Sequence, residues 1–277
     1  MATNKMKLAA FDMDGTLLDD KKEITPKTEK VLKELQKQGV ELAFITGRVY
    51  VSPYYYAKVH GLDFMIAATN GSHVVDKNGN VIYEAKLDKE TVNKVLDLLK
   101  DTGFYFHLYP IDGLITSEEN SSNPLSEIHG RMPEGYEDKM RRVILPYDEL
   151  YNIDDDIYKI IIIADDNEAR LKFRELLDNE RIFNSSSWHN NIEITSFKGT
   201  KKYGVEAMLK NLGISWDDVW AFGDNENDLP MLHLAGHPFI MGNATDEIKK
   251  ESRATVVGDN DEEGVANALI EEFNLNC

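Results

Sequence analysis

Two aspartates stand one residue apart in Asp12-Met13-Asp14-Gly15-Thr16-Leu17, directly after the apolar run Leu8-Ala9-Ala10-Phe11. A short apolar run of this kind reads as a strand buried on both faces, and carboxylates at its exit stand where open α/β sheets hold ligands. Strand side chains alternate, so Asp12 and Asp14 are expected on one side with Met13 turned away, two oxygen donors converging on one hard cation or one phosphate. Gly15 lets the backbone turn closely around that point. The same residues also suit a plain Asp-Gly turn. A calcium loop is excluded: Asp12 and Glu23 have the end-to-end spacing of an EF-hand loop, but Leu17 holds the glycine position and the repeated polar ligands are missing.

Polar groups at other strand exits decide between a turn and chemistry. Ile24-Thr25-Pro26 starts a helix, with Thr25 as N-cap and Pro26 in the first helical position; Val31, Leu32 and Leu35 share one face, and Gly39 ends it. The apolar stretch 40–45 then exits at Thr46-Gly47-Arg48. Strand, helix, strand is a βαβ unit, so the strands run parallel and Thr46 comes near Asp12. Residues 64–68 form a third strand, which exits at Thr69-Asn70-Gly71, and 72–84 read as a hairpin around Asp76-Lys77-Asn78-Gly79-Asn80.

The texture changes over 85–190: a helix at 89–100, an aromatic strand pattern at Phe104, Phe106 and Leu108, an irregular polar stretch at 117–135, a strand at 158–164 and a helix at 167–177. This mixture fits an inserted α+β unit. The parallel pattern is expected to resume with Ile192-Glu193-Ile194-Thr195, which leads through Phe197-Lys198-Gly199-Thr200-Lys201-Lys202 into a helix at 203–212. Residues 219–222 form a strand that exits at Gly223-Asp224-Asn225-Glu226-Asn227-Asp228. Short strands at 238–241 and 254–257 and a helix from Gly264 complete the sheet. The expected organisation is thus an α/β core of residues 1–84 and 191–277, with 85–190 inserted.

Five strand exits or adjoining loops therefore carry polar groups: Asp12 and Asp14, Thr46, Asn70, Lys201, and Asp224 with Asp228. No Walker A loop, paired-glycine dinucleotide fingerprint or Gly-x-Ser-x-Gly elbow occurs, which argues against P-loop nucleotide hydrolysis and against a serine hydrolase. The 277 residues carry Lys+Arg 31 against Asp+Glu 49, a formal charge of −18, which opposes nucleic acid and anionic membrane surfaces as partners. The single cysteine, Cys277, excludes an intramolecular disulfide and a cysteine metal site. Met1-Ala2-Thr3-Asn4-Lys5 runs into the first strand without a signal peptide's apolar region, so the expected location is cytoplasmic.

The motifs Asp12-Met13-Asp14-Gly15-Thr16, Thr46-Gly47-Arg48, Thr69-Asn70-Gly71, the lysine loop, Gly223-Asp224-Asn225-Glu226-Asn227-Asp228 and Met241-Gly242-Asn243-Ala244 together resemble the haloacid dehalogenase superfamily, and within it the Cof-type (subfamily IIB) hydrolases. The resemblance implies a Rossmann-like core with a large α+β cap of the C2B type and a Mg²⁺-dependent phosphatase acting on small phosphorylated metabolites such as sugar phosphates. It implies Asp12 as nucleophile and Asp14 as general acid and base. Thr46, Gly47, Asn70 and Lys201 would bind the phosphoryl group. Asp12, the backbone carbonyl of Asp14 and Asp224 would hold the metal, with Asn227 and Asp228 orienting that shell.

One departure is that Lys201 is followed by Lys202 where the family has glycine, which leaves Lys202 and Lys198 as alternatives. Arg48, His107, Tyr109 and Asp112 are candidates for contacting the substrate, although His107 and Tyr109 also suit sheet packing. Arg131, Arg141 and Arg142 suit a second anion or a solvated face. The expected assembly is a monomer or weak homo-oligomer. A phosphomutase on the same nucleophile, a dehalogenase, which would lack Asp14, and a non-catalytic binding module are the alternatives.

Overall fold

A computed structural model of the chain describes residues 7–118, 132–177, 180–187 and 190–275. Arg131 and Cys277 lie outside the described residues. In chain order the strands are β1 (Leu8–Phe11), β2 (Glu41–Ile45), β3 (Phe64–Ala68), β4 (His73–Val75), β5 (Val81–Glu84), β6 (Tyr105–Tyr109), β7 (Gly113–Ser117), β8 (Arg141–Leu145), β9 (Lys159–Ile163), β10 (Ile182–Ser185), β11 (Asn191–Ser196), β12 (Val219–Gly223), β13 (His237–Ile240) and β14 (Thr255–Val256).

They form an eight-stranded sheet in the order β14-β13-β12-β1-β2-β3-β4-β5 and a six-stranded sheet in the order β10-β11-β9-β6-β7-β8. In the first sheet β14 to β3 run parallel, and the β4–β5 hairpin adds an antiparallel edge. β1 lies between β2 and β12, so the chain leaves it in opposite directions on its two sides. That is the switch point where α/β sheets open a crevice at their C-terminal ends.

The unbroken apolar sequence of β1 follows from its two covered faces. Leu8 and Ala10 pack with Val205, Met208 and Leu209 of the helix Lys201–Leu212. Ala9 and Phe11 pack with Val31, Leu32 and Leu35 of the helix Pro26–Lys37, whose N-cap Thr25 accepts from the Thr28 N–H. Phe11, Phe44 and Phe222 are fully buried, each stabilising the sheet by about 1.5–3 kcal/mol. Their packing makes a rigid base for the loops at the strand ends.

All strands of the second sheet lie between β5 and β12 in the chain, so this sheet is an insertion, antiparallel except for β7 beside β8. Phe106, Leu108, Ile160, Ile162, Ile192 and Ile194 pack with Val92, Val95 and Leu96 of the helix Lys89–Leu99 and Phe173 of the helix Asn167–Glu175. On the other face, Tyr109, Leu114, Met132, Met140 and Ile161 cluster with Val49, which follows β2. That apolar contact docks the second sheet over the ends of the first.

One expectation is corrected here. Ile192-Glu193-Ile194-Thr195 does not resume the parallel sheet; β11 pairs antiparallel with β9 and β10. Its alternating pattern suits a strand with one helix-covered face and one face turned to the first sheet, which differs from the continuous apolar pattern of β1. Among the described residues no helix is long and apolar enough to cross a membrane.

Candidate active site

Asp12 leaves β1 with its N–H bonded to the Phe222 carbonyl at 3.0 Å, and its side chain is buried. The Lys201 ammonium donates to Asp12 Oδ1 at 2.5 Å and to Asp228 Oδ1 at 2.6 Å. Lys201 is the first residue of its helix, two positions before the expected start, and is fully buried. Lys202 is half-exposed and turned to Glu206 at 3.9 Å, and Lys198 is exposed. Of the three candidate lysines, Lys201 is the one beside the aspartates.

Asp12, Asp224 and Asp228 each offer a carboxylate oxygen within 4.8 Å of the others. Three carboxylates around one ammonium leave an excess of negative charge, and the acidities record it. Burial pushes Asp12 up to about 7; Lys201 pulls it down, but Asp228 and Asp14 push it up again. Asp224 is raised well above the carboxylate range by burial, then by Asp12 and Asp228. Burial opposes the charge on Lys201, yet Asp12 and Asp228 outweigh it and hold the ammonium protonated. The partners point in different directions because one cation cannot balance three clustered carboxylates. An all-oxygen donor set with surplus negative charge fits a hard divalent cation such as Mg²⁺.

The approach of the first motif to the β12 loop depends on Gly15. Its φ is +77°, and a Cβ there would lie 2.6 Å from Asp224 Oδ2. Thr16 Oγ1 donates to Asp224 Oδ1 at 2.9 Å, and Asn243 Nδ2 donates to the Gly15 carbonyl at 2.9 Å. Asp228 Oδ2 accepts the N–H groups of Asp224 at 2.9 Å and Asn225 at 3.0 Å, which fixes the loop carrying Asp224.

The Asp14 carboxylate, 42% exposed, is gripped by Arg48, with Nε on Oδ2 and Nη2 on Oδ1, both at 2.7 Å. β1 ends at Phe11, and the chain then turns, tied by Leu17 N–H to Asp12 O at 3.3 Å and Leu18 N–H to Met13 O at 2.9 Å. Arg48, expected toward substrate, is buried, also donates to Ser52 Oγ at 3.2 Å, and lies 5.0 Å from the Tyr56 ring centroid. Burial disfavours its charge, but the neighbouring Asp14 carboxylate favours it more strongly, so the guanidinium stays ionised.

The loops after β2 and β3 hold each other. The Asn70 N–H donates to Thr46 O and the Thr69 N–H to Arg48 O, both at 2.8 Å, and Thr46 Oγ1 accepts the Arg48 N–H at 3.1 Å. Asn70 has φ +60°, a conformation asparagine tolerates. Its Oδ1 accepts from Asn227 Nδ2 at 3.2 Å, so Asn227, expected around a metal, is turned to the β3 loop.

The second sheet contributes residues that the motif reading did not find. Lys159, fully buried, donates to the Gly47 carbonyl and lies 3.3 Å from Glu193 Oε1. Asn70 Nδ2 donates to Glu193 Oε2 at 2.6 Å. The available signal was a single charge in each apolar run, Lys159 before four isoleucines and Glu193 between two. His107 is buried between the hydroxyls of Tyr105 at 2.5 Å and Tyr109 at 3.1 Å, and the Tyr109 ring centroid lies 5.2 Å from Lys159 Nζ. Arg141 pairs with Asp112 and Asp155. A second seam joins the β12 loop to the insertion: Arg174 to Glu226 at 2.9 Å, and Asn225 Nδ2 to the Ser187 carbonyl at 3.0 Å.

The family profile of the haloacid dehalogenase-like hydrolases matches residues 9–269. The chain is 28% identical to the phosphatase YwpJ of Bacillus subtilis (strain 168), over 95% of this chain and 99% of that one. It is 30% identical to an HMP-PP phosphatase of Yersinia pseudotuberculosis (strain IP 31758), over 95% and 94%. The solved structure of BT4131, a HAD subclass IIB sugar phosphatase, matches with a TM-score of 0.81 over 97% of this chain and 99% of its own; at 19% identity that likeness speaks for the fold alone. The chain belongs to the haloacid dehalogenase-like hydrolase family, as one of its phosphatases with a Rossmann-like core and an inserted cap sheet.

Proposed function

We propose that the chain is a Mg²⁺-dependent phosphomonoesterase for small phosphorylated metabolites, sugar phosphates among them, that passes the phosphoryl group through Asp12. The observation that carries this reading is the Asp12 carboxylate at the exit of β1, gripped on one oxygen by Lys201 and clustered with Asp224 and Asp228. Asp12, Asp224 and the Asp14 carbonyl would hold Mg²⁺, which when bound cancels repulsion between these carboxylates and the phosphate.

Lys201 fixes one oxygen of Asp12 and directs the other to phosphorus. Asp14, held by Arg48, gives its proton to the leaving alcohol and later takes one from water. The Thr46 hydroxyl, the Gly47 and Asn70 donors and Lys201 would bind phosphoryl oxygens, stabilising the charge that develops in the transition state. Asp228 and Asn227 act behind them, Asp228 on the Asp224 loop and Asn227 on Asn70.

The insertion is read as a cap that closes over this site and excludes water. We read its end as lying beyond Ser196 and not at residue 190, a reading that the pairing of β11 with β9 and β10 supports. Tyr109, on the face turned to the first sheet, borders the covered space. A relative named for HMP-PP, 30% identical, supports a small phosphorylated metabolite as the substrate class. A cytoplasmic location and a monomeric or weakly associating state complete the reading, supported by a single cysteine and a charge of −18.

The test is phosphate release from a panel of phosphomonoesters, with Mg²⁺ and with chelator. Metal-dependent release, with sugar phosphates high in rank, is expected. An isomerised ester without free phosphate would replace this reading with a mutase, and tight binding without turnover would replace it with a binding protein.

A further inference from the structure

We infer that Glu193 and Lys159 are positioning residues for the phosphoryl-binding loops: Glu193 sets the direction of the Asn70 amide, and Lys159 pins the Gly47 carbonyl. The inference rests on the proposed phosphoryl role of Asn70.

Neither residue is needed by the apolar packing of its own sheet. Ile160, Ile162, Ile192 and Ile194 face the helices of the insertion, so Lys159 and Glu193 lie on the opposite face. Both are buried, and a buried ion pair is costly unless further hydrogen bonds complete it. Here two of those bonds, to Asn70 and Gly47, go to loops of the first sheet. Glu193 Oε1 accepts from Ser187 Oγ at 2.8 Å, while Oε2 accepts from Asn70 Nδ2 at 2.6 Å. Lys159 reaches across to the Gly47 carbonyl, where the backbone is so crowded that a Cβ at Gly47 would lie 2.9 Å from Asn70 Oδ1 and 3.3 Å from Lys159 Nζ.

An asparagine amide can turn end for end, and its neighbours decide which end points where. The Glu193 carboxylate accepts only, so it faces Nδ2 and sets the direction of Asn70; the Asn227 amide, which can itself turn, then offers its Nδ2 to Oδ1. Asn70 Nδ2 then keeps a second hydrogen to offer a phosphoryl oxygen. A glutamine at 193 would remove this preference, because its own NH₂ can face Asn70 and let the amide turn its oxygen toward the anion. Docking of the second sheet and readiness of the phosphoryl-binding loops become one event.

The experiment is a double-mutant cycle read by calorimetry with inorganic phosphate in the presence of Mg²⁺, using the unaltered protein, Asn70→Ala, Glu193→Gln and the double variant. Each single change is expected to weaken phosphate binding roughly 10- to 100-fold, as supporting groups behind metal ligands do, and the double variant to lose no more than the weaker single one. The loss in kcat/KM should be the same for every ester, leaving their rank order intact, because the residues act on the phosphoryl group and not on the leaving group. Glu193→Gln binding phosphate like the unaltered protein, losses that multiply, or a changed rank order would overturn the inference. If Glu193→Gln does not fold, Lys159→Met/Glu193→Gln, which leaves no unpaired charge buried, reads the same coupling with Asn70→Ala. Failure of the proposed function shows separately, as unaltered protein that binds phosphate but releases none from any ester.

Discussion

Arg48 grips Asp14 at two points, Nε to Oδ2 and Nη2 to Oδ1, each 2.7 Å, from a buried position that leaves the carboxylate half-exposed at the mouth of the site. A fork-to-fork pair fixes direction as well as distance, which a single-point lysine cannot reproduce.

Arg48→Lys should therefore lose rate in a way that depends on the leaving group. Asp14 is proposed to protonate the departing alcohol, and general acid catalysis contributes on the order of 10²–10⁴-fold. Alkyl phosphates, whose alkoxides leave poorly, should fall by about 10-fold or more, while p-nitrophenyl phosphate, whose leaving group needs little protonation, should fall less. Equal losses on both esters would detach Arg48 from the acid step.

Lysines 201 and 202 separate cleanly. A charge pair at about 4 Å in an effective dielectric of about 20 is worth roughly 4 kcal/mol, so Lys201→Met should lose at least on the order of 10²-fold in kcat/KM. Lys202→Met, which removes a half-exposed side chain turned to Glu206, should stay within about 2-fold of the unaltered protein in rate and about 0.5 kcal/mol in stability. Steady-state kinetics on both variants checks this, and the reverse order would assign the phosphoryl lysine to position 202.

Chelated protein should show the crowding of carboxylates in its pH dependence. Burial raises Asp12 to about 7, so the folded chain holds that proton more tightly than the unfolded one. The resulting stability is fully present below the ordinary carboxylate range and is lost as pH rises through about 7. Burial lowers His73, which acts in the opposite sense, so variant and parent are compared at the same pH. In chelator, Asp12→Asn should melt above its parent at pH 8, and this advantage should shrink at pH 5. A variant that melts below its parent at pH 8 would contradict the excess of negative charge.

Gly15→Ala tests the close approach of the first motif to Asp224. It places a Cβ 2.6 Å from Asp224 Oδ2 in a backbone with φ +77°, which alone costs about 1–2 kcal/mol. Reduced thermal stability together with Mg²⁺ binding weakened by at least about 10-fold is expected. Unchanged Mg²⁺ affinity would separate this turn from the metal site.

Much of the first sheet was legible because its strands are covered on both faces. Leu8-Ala9-Ala10-Phe11 and the stretch of β3 announce themselves as continuous apolar runs, and helix signals such as Thr25-Pro26 set the parallel order that gathers their ends. Asp12 and Asp224 could be placed together from that order, while Lys201 was chosen among three lysines by the family resemblance. β11 was misplaced because its proximity to the lysine loop outweighed the alternation of Ile192-Glu193-Ile194-Thr195, the one local mark that sets it apart from β1; its partners β9 and β10 lie in the insertion. The directions of Arg48 and Asn227 depend on contacts between loops, which no local pattern encodes. Lys159 and Glu193 were marked only as charges inside apolar strands, and their role emerges when the second sheet meets Gly47 and Asn70.

The central claim, passage of the phosphoryl group through Asp12, is tested most directly by rapid acid quench of the Mg²⁺-loaded protein during turnover of a phosphomonoester, followed by mass mapping of the peptide that contains Asp12. Phosphoryl label on that residue, absent from Asp12→Asn together with phosphate release, is the expected result. Near-normal release by Asp12→Asn would contradict the claim.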